Sequence, residues 1–511
     1  MKIALAQINP TVGDLEGNVE RCLAAIEQAA RADAALVVLP EMAIPGYPPR
    51  DILGDPGFVE AVGEATADLA ARARRGPPAV VGTVWPSGDR RFRHPALYNA
   101  AVLLRGGEVR LAAAKRLLPA YDVFHEPRWF LPGPPSAPVE IAGRQVGFLV
   151  CEDLWDEGYP LHPPAALQSA GAEVLVCLAA SPYRRGILGR RLYHARRPRC
   201  PLVYVNAWGA QDELIFDGRS FALDGEGRTL ARLPGFRGAV RVVDLDAPPD
   251  PGPLREEGGE AELFRALRLG VADFCRKNGL QRVFLGLSGG VDSATVAVIA
   301  AEALGPERVT AVSIPSRYTD PRSVTSARTL AETVGIGFEV VELEPLHAAA
   351  ETTLSDLLGA GATAENIQAR LRAMILMAFV NRHGGLLLNS SNKTELSLGY
   401  ATLYGDMAGG LAPIADLTKP EVIALARWID AHRCPIPPFI LERPPTAELK
   451  PDQVDPFDYP TVAPALEALV QQNRSNAALR RSEHKRWQMG VVLKVSDKAF
   501  GTGRLIPITR K

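Results

Sequence analysis

The sequence is poor in cysteine, in net charge and in long apolar runs. Its 511 residues include only six cysteines, and no two of them form a Cys-x-x-Cys pair, so neither a zinc site nor a disulfide framework is expected. The formal net charge of −1 gives no electrostatic reason to expect nucleic acid as a partner. No apolar stretch approaches membrane-spanning length, and the first residues are typical of a β-strand, not of a signal peptide. We therefore expect a cytoplasmic enzyme.

Length and composition instead predict two α/β domains. A chain of 511 residues is too long for one hydrophobic core. Residues 1–245 and 261–511 each alternate short apolar runs with helix-like segments, and the proline- and glycine-rich residues 246–260 are typical of a linker. In the first half, we predict strands at 2–8, 35–39, 79–84, 101–104, 146–150 and 174–178, and helices at 21–32 and 60–74.

A loop rich in glycine and serine joins a predicted strand to a predicted helix in the second half. Residues 288–293 read Ser-Gly-Gly-Val-Asp-Ser between an apolar run and an Ala/Val segment that stops at Gly305-Pro306. Glycines allow a ligand to approach the backbone, and N–H groups at a helix start bind phosphate. Asp292 alone would repel phosphate, so it implies a bridging Mg²⁺. The alternative, an ordinary strand–helix turn, is disfavoured by the complete pattern.

Three reactive side chains follow short segments of the first half: Glu41 and Cys151 each end a predicted strand, and Lys115 follows residues 109–114. The ends of strands are where α/β sheets place chemistry, so the three can converge. In that arrangement Glu41 deprotonates Cys151, while Lys115 favours the thiolate and stabilises an oxyanion. The backbone N–H after Cys151 is a second candidate oxyanion donor.

Taken singly, the same residues have plainer interpretations. A cysteine at the end of an apolar strand is usually a small core residue, as we expect for Cys177, and Glu41 or Lys115 alone would be a surface charge. A Cys-His pair is the other catalytic option, although no histidine lies in a recognisable setting. Its candidate partners are His94, His125 and His162.

The first half resembles the nitrilase, or carbon–nitrogen hydrolase, superfamily. The motifs that carry the resemblance are Pro40-Glu41, Lys115 with Leu118-Pro119, Tyr121, Phe124-His125-Glu126 and Phe130, and Cys151-Glu152-Asp153-Leu154-Trp155. The resemblance implies a four-layer αββα fold and a Glu-Lys-Cys triad that hydrolyses amides through a thioester. It also implies that Glu126 is an accessory carboxylate of the glutamine site and that Tyr121 and Ser181 contact glutamine.

The second half resembles NAD synthetases. The motifs are the loop at 286–293, Thr-Ala-Glu-Asn-Ile-Gln-Ala-Arg-Leu-Arg at 363–372, and the segments 386–395, 399–406 and 483–486. The resemblance implies a Rossmann-like ATP pyrophosphatase fold with ATP as co-substrate and Mg²⁺ as metal. The ATP residues would be Gly286, Leu287, Ser288, Gly289, Gly290, Val291, Asp292, Ser293 and Ser390. Deamido-NAD would contact Asn366, Glu395 and Lys485, and Asp292 and Glu395 would hold Mg²⁺.

A nitrilase-like domain joined to such a synthetase resembles the glutamine-dependent form of that family over essentially the whole chain. This implies ATP-dependent amidation of deamido-NAD through an adenylate, with ammonia from glutamine or from solution, by a homo-oligomer. The alternatives are another ATP-pyrophosphatase amidotransferase, an ammonia-only NAD synthetase with a degenerate glutaminase domain, and an RNA-binding or RNA-modifying protein. Near-neutral charge and the absence of zinc cysteines count against the RNA alternative.

The chain departs from the family pattern in two places. Ile187 stands where the family usually has a lysine after Ser181-Pro182, and one of four neighbouring arginines can bind the glutamine carboxylate instead. These arginines are Arg184, Arg185, Arg190 and Arg191. Near the C-terminus, the family's Leu-Pro-Pro-Tyr…Leu-Asp is replaced by Phe-Asp-Tyr-Pro-Thr-Val at 457–462.

Overall fold

A computed structural model describes residues 1–89, 96–249, 258–358, 361–474 and 482–499. His94 and residues 250–257 of the predicted linker lie outside these ranges, so that linker stays a prediction. The described residues divide into two units, one before residue 250 and one from residue 258 on, with residues 212–214 grouped in the second.

The first unit is built from two six-stranded sheets and the helices that cover them. Its strands are β1 (Lys2–Gln7), β2 (Leu36–Val38), β3 (Ala79–Pro86), β4 (Leu97–Arg105), β5 (Glu108–Ala114), β6 (Val139–Ile141), β7 (Arg144–Val150), β8 (Val174–Ala179), β9 (Leu202–Asn206), β10 (Trp208–Gln211), β11 (Leu214–Asp217), β12 (Phe221–Leu223), β13 (Thr229–Arg232) and β14 (Ala239–Asp244). Its helices are α1 (Leu15–Ala30), α2 (Pro56–Arg72), α3 (Pro163–Ser169) and α4 (Ile187–Ala195). Within the described residues, one sheet has the order β14-β1-β2-β3-β4-β5 and the other β13-β12-β9-β8-β7-β6.

One apolar cluster joins the facing sides of these sheets. Ile3 and Leu5 on β1 and Phe148 and Val150 on β7 belong to it and are buried. Helices α1 and α2 contact the first sheet, α3 contacts β7, and α4 adds Leu188 to the cluster. The predicted four-layer αββα arrangement is therefore confirmed. Cys177 on β8 is a buried member of the same cluster, as expected.

Two helices begin earlier than predicted because of aspartate caps. Helix α1 begins at Leu15, not at residue 21, since the side chain of Asp14 accepts a hydrogen bond from the N–H of Gly17 at 3.1 Å. Helix α2 begins at Pro56, not at residue 60, since Asp55 accepts one from Gly57 at 2.9 Å. Each side chain satisfies a backbone donor that the first turn leaves unpaired.

The second unit is a parallel sheet flanked by helices. Its strands are β15 (Val283–Gly286), β16 (Val309–Ser313), β17 (Gly337–Val340), β18 (Leu386–Leu388), β19 (Leu411–Ala412) and β20 (Val491–Val492). Its helices are α5 (Glu260–Lys277), α6 (Val291–Leu304), α7 (Pro321–Val334), α8 (Glu344–Thr353), α9 (Ala362–His383), α10 (Lys393–Leu398), α11 (Lys419–His432), α12 (Pro438–Glu442) and α13 (Tyr459–Gln471). In the part of the chain that the structure describes, the strand order is β17-β16-β15-β18-β19-β20.

The strand order of this sheet reverses at β15. The chain passes from β15 to β16 and β17 on one side and then returns through α9 to β18 on the other. In doubly wound sheets, ligands bind beyond the carboxyl ends of the strands at such a switch point. The loop at 287–290 follows β15 and Asn389 follows β18, so both lie at this edge. The Rossmann-like fold and the strand–loop–helix prediction, with α6 ending before Gly305, are confirmed.

Two motif segments of the second unit lie in short helices. Glu395 lies in α10, which Asn392 caps with its side-chain oxygen. Residues 483–486 form part of a 3-10 helix at Glu483–Gln488. There the carboxylate of Glu483 is buried and accepts a hydrogen bond from Arg486 at 2.6 Å, so these two charges are not solvated.

Candidate active sites

Lys115 joins two buried carboxylates in the first unit. Its ammonium lies 2.9 Å from Glu41 and 2.7 Å from Glu126. The nearby Cys151, at the end of β7, is 7% exposed. The pKa of its thiol is raised well above the usual range, first by burial and then by the charge of Glu41, while Lys115 opposes the rise. Lys115 therefore does not make Cys151 a thiolate at rest, and the thiol needs a base.

Glu41 is fixed by hydrogen bonds to both of its carboxylate oxygens. One carboxylate oxygen accepts hydrogen bonds from Asn99 at 2.6 Å and from Lys115 at 2.9 Å. The other accepts the backbone N–H of Ala180 at 2.8 Å. Because Lys115 follows β5 and Ala180 follows β8, these two strand ends meet at the carboxylate of Glu41.

Asp153 fixes Cys151 relative to Lys115. Its carboxylate accepts the backbone N–H of Val150 at 3.1 Å and those of Arg116 and Leu117 at 2.8 and 3.0 Å. It thereby ties the turn that carries the nucleophile to the residues just after Lys115. Burial raises the pKa of Asp153 to about 6, against the effect of these backbone donors. Sequence reasoning did not single out this residue, although it lies within the nitrilase-like motif.

Glu126 is a buried accessory carboxylate. Besides Lys115, it accepts a hydrogen bond from the hydroxyl of Tyr47 at 3.2 Å. Its second oxygen is buried and has no hydrogen-bond partner among the residues that the structure describes. Burial raises the pKa of Glu126 to about 7, although Lys115 acts in the opposite direction.

The predicted glutamine contacts lie in two places. Tyr121 is 51% exposed, and its hydroxyl donates to Glu152, the residue after the nucleophile, at 3.0 Å. Ser181 is buried directly after Ala180, and its N–H donates to Asn206 at 2.8 Å. Ile187 is buried at the start of α4 and offers only an apolar side chain.

The described histidines give no support to a Cys-His pair. His162 forms a hydrogen bond with Asp156 at 3.0 Å, and His125 is exposed. His94, the remaining candidate, lies outside the described residues. Glu41 is therefore the candidate base for Cys151.

A cavity of about 330 Å³ lies at the switch point of the second unit. Every residue of 286–293 except Gly289 lines it, as do Ser390 and Glu395. Gly289 has a φ of +80°, and a Cβ there would lie 2.5 Å from the carbonyl oxygen of Ser323. Only glycine fits this close approach, which lets the loop turn back towards α7.

Asp292 and Glu395 converge on the ammonium of Lys419. Lys419 donates to Asp292 and, at 3.2 Å, to Glu395. Burial raises the pKa of Glu395 to about 7, while Lys419 opposes the rise. Mg²⁺ is commonly held by one or two carboxylates together with substrate phosphates, so this pair fits Mg²⁺. Among the described residues, no group of three His, Cys, Asp or Glu converges to hold a metal.

Sequence reasoning missed Lys419. The residue begins α11 immediately after Thr418, whose hydroxyl donates to Glu421 at 2.9 Å in a capping box. The Thr-Lys-Pro-Glu sequence is a recognisable helix start, but it does not show which loop the helix faces. The altered segment at 457–462 contributes Tyr459, whose ring lies 5.6 Å from the Lys419 ammonium.

Two predicted deamido-NAD residues are not among those that line the cavity. Asn366 accepts a hydrogen bond from the hydroxyl of Thr402 at 2.7 Å. Lys485 donates to the carbonyl oxygens of Ala401 and, at 2.8 Å, of Gly399. Both side chains thus hold the segment 399–402, from which Tyr400 reaches the cavity.

Comparisons with known proteins cover both units. The model of the carbon-nitrogen hydrolase family matches residues 2–248, and that of the NAD synthase family matches residues 263–498. A glutamine-dependent NAD(+) synthetase of Synechocystis sp. is 39% identical over 99% of this chain and 98% of its own length. That of Rhodobacter capsulatus is 40% identical over 100% of this chain and 98% of its own. The structure of glutamine-dependent NAD+ synthetase from Acinetobacter baumannii in complex with ADP is 30% identical, with a TM-score of 0.79 over 99% of this chain and 98% of that one.

Proposed function

This chain belongs to the family of glutamine-dependent NAD(+) synthetases, and we propose that its two units carry out two parts of one reaction. Glutamine is hydrolysed at Cys151 in the first unit, and the ammonia amidates deamido-NAD at the cavity of the second. The observation that carries the proposal is the buried Lys115, which bridges Glu41 and Glu126 beside the thiol of Cys151. The same chain carries the glycine- and serine-rich loop 288–293, which lies at the switch point of the parallel sheet in the second unit.

In the glutaminase half-reaction, the thiol of Cys151 adds to the side-chain amide carbon of glutamine. Glu41 accepts the thiol proton as the new C–S bond forms. The amide oxygen becomes an oxyanion, which the ammonium of Lys115 stabilises in a buried site where charges interact strongly. Collapse of this intermediate breaks the C–N bond, and the leaving nitrogen takes the proton from Glu41 and departs as ammonia.

The remaining thioester is hydrolysed by water. Glu41 has given its proton to the departing ammonia, so it can accept a proton from the water that attacks the thioester. The C–S bond then breaks, glutamate leaves, and Cys151 regains its proton. Glu126 keeps Lys115 in place throughout, because its carboxylate lies 2.7 Å from the ammonium.

In the synthetase half-reaction, a carboxylate oxygen of deamido-NAD attacks the α-phosphorus of ATP. The bond to the β-phosphate breaks, pyrophosphate leaves, and an adenylate remains. Ammonia then attacks the acyl carbon, AMP leaves, and the amide of NAD is formed. The loop at 288–293 and Ser390 provide the phosphate-binding groups. ATP use is supported by the relative from Acinetobacter baumannii, whose structure holds ADP.

Asp292 and Glu395 are the residues that would hold Mg²⁺. When bound, Mg²⁺ neutralises negative charge that develops on phosphate oxygens. Lys419 lies between the two carboxylates and keeps them close together despite their like charge. Asn366 and Lys485 serve deamido-NAD by shaping the segment 399–402.

Two broader features of this function are also proposals. We infer a homo-oligomer, by similarity to the family, and a cytoplasmic location. Within the described part of the chain, the helices are all too short or too polar to cross a membrane.

An assay of NAD formation tests the proposal. Purified chain is supplied with ATP, Mg²⁺ and deamido-NAD, together with either glutamine or ammonium. NAD, AMP and pyrophosphate should form with either nitrogen source. Activity with ammonium alone would support the degenerate-glutaminase alternative, which the intact Glu41–Lys115–Glu126 cluster disfavours. Inactivity with both would support a different acceptor, and tRNA retained after purification, seen as high absorbance at 260 nm, would support the RNA alternative.

A further inference from the structure

Arg191 is a buried charge directly beside the predicted glutamine site. It lies on α4 with 0% of its surface exposed. Its Nη1 donates to the carboxylate of Asp217 at 2.8 Å. Its Nε donates to the hydroxyl oxygen of Ser181 at 3.1 Å, and Nη2 donates to the carbonyl oxygens of Ser181 and Pro182 at 2.7 and 3.3 Å. One guanidinium thus holds both the side chain and the backbone of the Ser181 turn.

The position of this turn connects it with catalysis. Ser181 follows Ala180, whose N–H donates to the carboxylate of Glu41 at 2.8 Å. The backbone of Ser181 is also fixed by Asn206, which accepts its N–H at 2.8 Å and donates to its carbonyl oxygen at 3.2 Å. The turn is therefore rigid next to the proposed base.

Arg191 also determines what the hydroxyl of Ser181 can do. The Nε–H of Arg191 occupies a lone pair of the Ser181 oxygen, and an arginine at this position can only donate. The contact with Arg191 therefore does not use the hydroxyl proton of Ser181. A hydroxyl that accepts from a cation is also a stronger donor, because hydrogen bonds in a chain polarise one another.

Asp217 provides the counter-charge of Arg191 within the same buried site. The second oxygen of this carboxylate lies 3.8 Å from the guanidinium of Arg219. Ile187 contributes no charge here, because its side chain is apolar and buried.

We propose that Arg191 is a positioning residue for glutamine. It holds the hydroxyl of Ser181 as a donor to the α-carboxylate of glutamine. The inference rests on the proposed glutaminase function of the first unit. It assigns the positioning role to the buried Arg191, not to the more accessible Arg184, Arg185 or Arg190.

A double-mutant cycle tests the inference. Arg191→Lys keeps the positive charge, but a lysine ammonium lacks the planar set of N–H donors with which the guanidinium binds Asp217 and Ser181 at the same time. Ser181→Ala removes the hydroxyl. Each change should raise the KM for glutamine by about tenfold or more, the size expected for losing a hydrogen bond to a charged group. In the Ser181→Ala background, Arg191→Lys should have little further effect, because the two residues act through one contact. Arg199→Lys, at an exposed position beyond α4, gives the control, and its KM for glutamine should stay unchanged.

A substrate without the carboxylate separates this role from a structural one. Ammonia release from 4-aminobutanamide, which is glutamine lacking its α-carboxylate, should show the same kcat/KM in wild type and in Arg191→Lys. Loss of activity with both substrates, or additive effects in the cycle, would show that Arg191 only supports the fold and would overturn the inference. If Arg191→Lys does not fold, Arg191→Gln combined with Asp217→Asn removes both charges together and should give the same glutamine-specific rise in KM.

The outcomes also distinguish this inference from the proposed function. A wild-type chain that releases no ammonia from glutamine overturns both. A wild-type chain that uses glutamine with a KM unaffected by changes at Arg191 and Ser181 overturns the inference alone. In that case, a rise in KM for Arg184→Ala, Arg185→Ala or Arg190→Ala would identify the arginine that binds the carboxylate.

Discussion

The side-chain amide nitrogen of Asn392 donates a hydrogen bond to the carboxylate of Asp292 at 3.0 Å. The oxygen of the same side chain accepts the backbone N–H of Glu395 at 3.1 Å. One asparagine therefore links the loop after β15 to the start of α10, and with them the two carboxylates that we propose for Mg²⁺.

We predict that Asn392→Ser weakens the synthetase site without affecting the glutaminase. Serine keeps an oxygen that can cap α10 but loses the donor to Asp292. NAD formation from ammonium should fall by about tenfold, as expected for one hydrogen bond to a charged group, and more Mg²⁺ should be needed for half-maximal rate. Initial rates over a Mg²⁺ titration measure both. Asn381→Ser, at an exposed position of α9, is the matched control; equal behaviour of the two variants would contradict the assignment.

Direct changes to the carboxylates should have larger effects. Asp292→Asn and Glu395→Gln each remove a charge that is poised for phosphate chemistry. The ammonium-driven rate should drop by roughly 10²–10³-fold, the usual range for a key electrostatic contact. Release of pyrophosphate should fall in parallel, because adenylation comes first. Loss of glutamine hydrolysis with intact ammonium-driven synthesis would mean that the roles of the two units are reversed.

The general architecture could be predicted from local patterns in the sequence. Apolar runs of strand length locate β1, β7, β8 and β15, and the Ser-Gly-Gly-Val-Asp-Ser loop identifies the strand–helix junction before α6. Periodicity and glycine chemistry are local properties, so a single sequence contains them. The helix starts at Leu15 and Pro56 were missed for an equally local reason, since the capping aspartates were overlooked.

The residues that complete the sites could not be identified in the same way. The sequence offers Arg191 only as one of four arginines after Ser181, and Lys419 reaches Asp292 from a helix 127 positions later in the chain. Nothing in the periodicity of α4 or α11 distinguishes these cations from solvated ones. Only tertiary packing shows that they are buried and which carboxylates they meet.

The raised pKa of Glu126 predicts that the difference in stability between wild type and Glu126→Gln depends on pH. This carboxyl has a pKa of about 7 in the fold against an ordinary value of 4.5. Between these values the folded chain keeps a proton that the unfolded chain has released, so this group's contribution to stability is lost as the pH rises through the window. Glutamine cannot titrate, and the stability of Glu126→Gln relative to wild type should therefore increase from pH 4.5 to 7 and then level off. The relative free energy of unfolding should change by about 1.4 kcal/mol for each unit by which the pKa in the fold exceeds the ordinary value.

The melting temperatures of wild type and Glu126→Gln, measured between pH 4.5 and 9, report this difference in stability. Glu64→Gln, at an exposed position of α2, gives the control, and its difference from wild type should not vary with pH. A difference for Glu126→Gln that is constant, or that decreases with pH, would show that the carboxyl is ionised throughout and that Lys115 outweighs burial.

The central claim is that one chain joins a thiol-dependent glutaminase to an ammonia-using NAD synthetase. Its most direct test is the rate of NAD formation by Cys151→Ala, compared with wild type, with glutamine and with ammonium as alternative nitrogen sources. Alanine removes the nucleophile and changes nothing in the second unit. We predict that synthesis from glutamine is abolished while synthesis from ammonium stays close to the wild-type rate. Equal loss with both nitrogen sources, or unchanged synthesis from glutamine, would contradict the account.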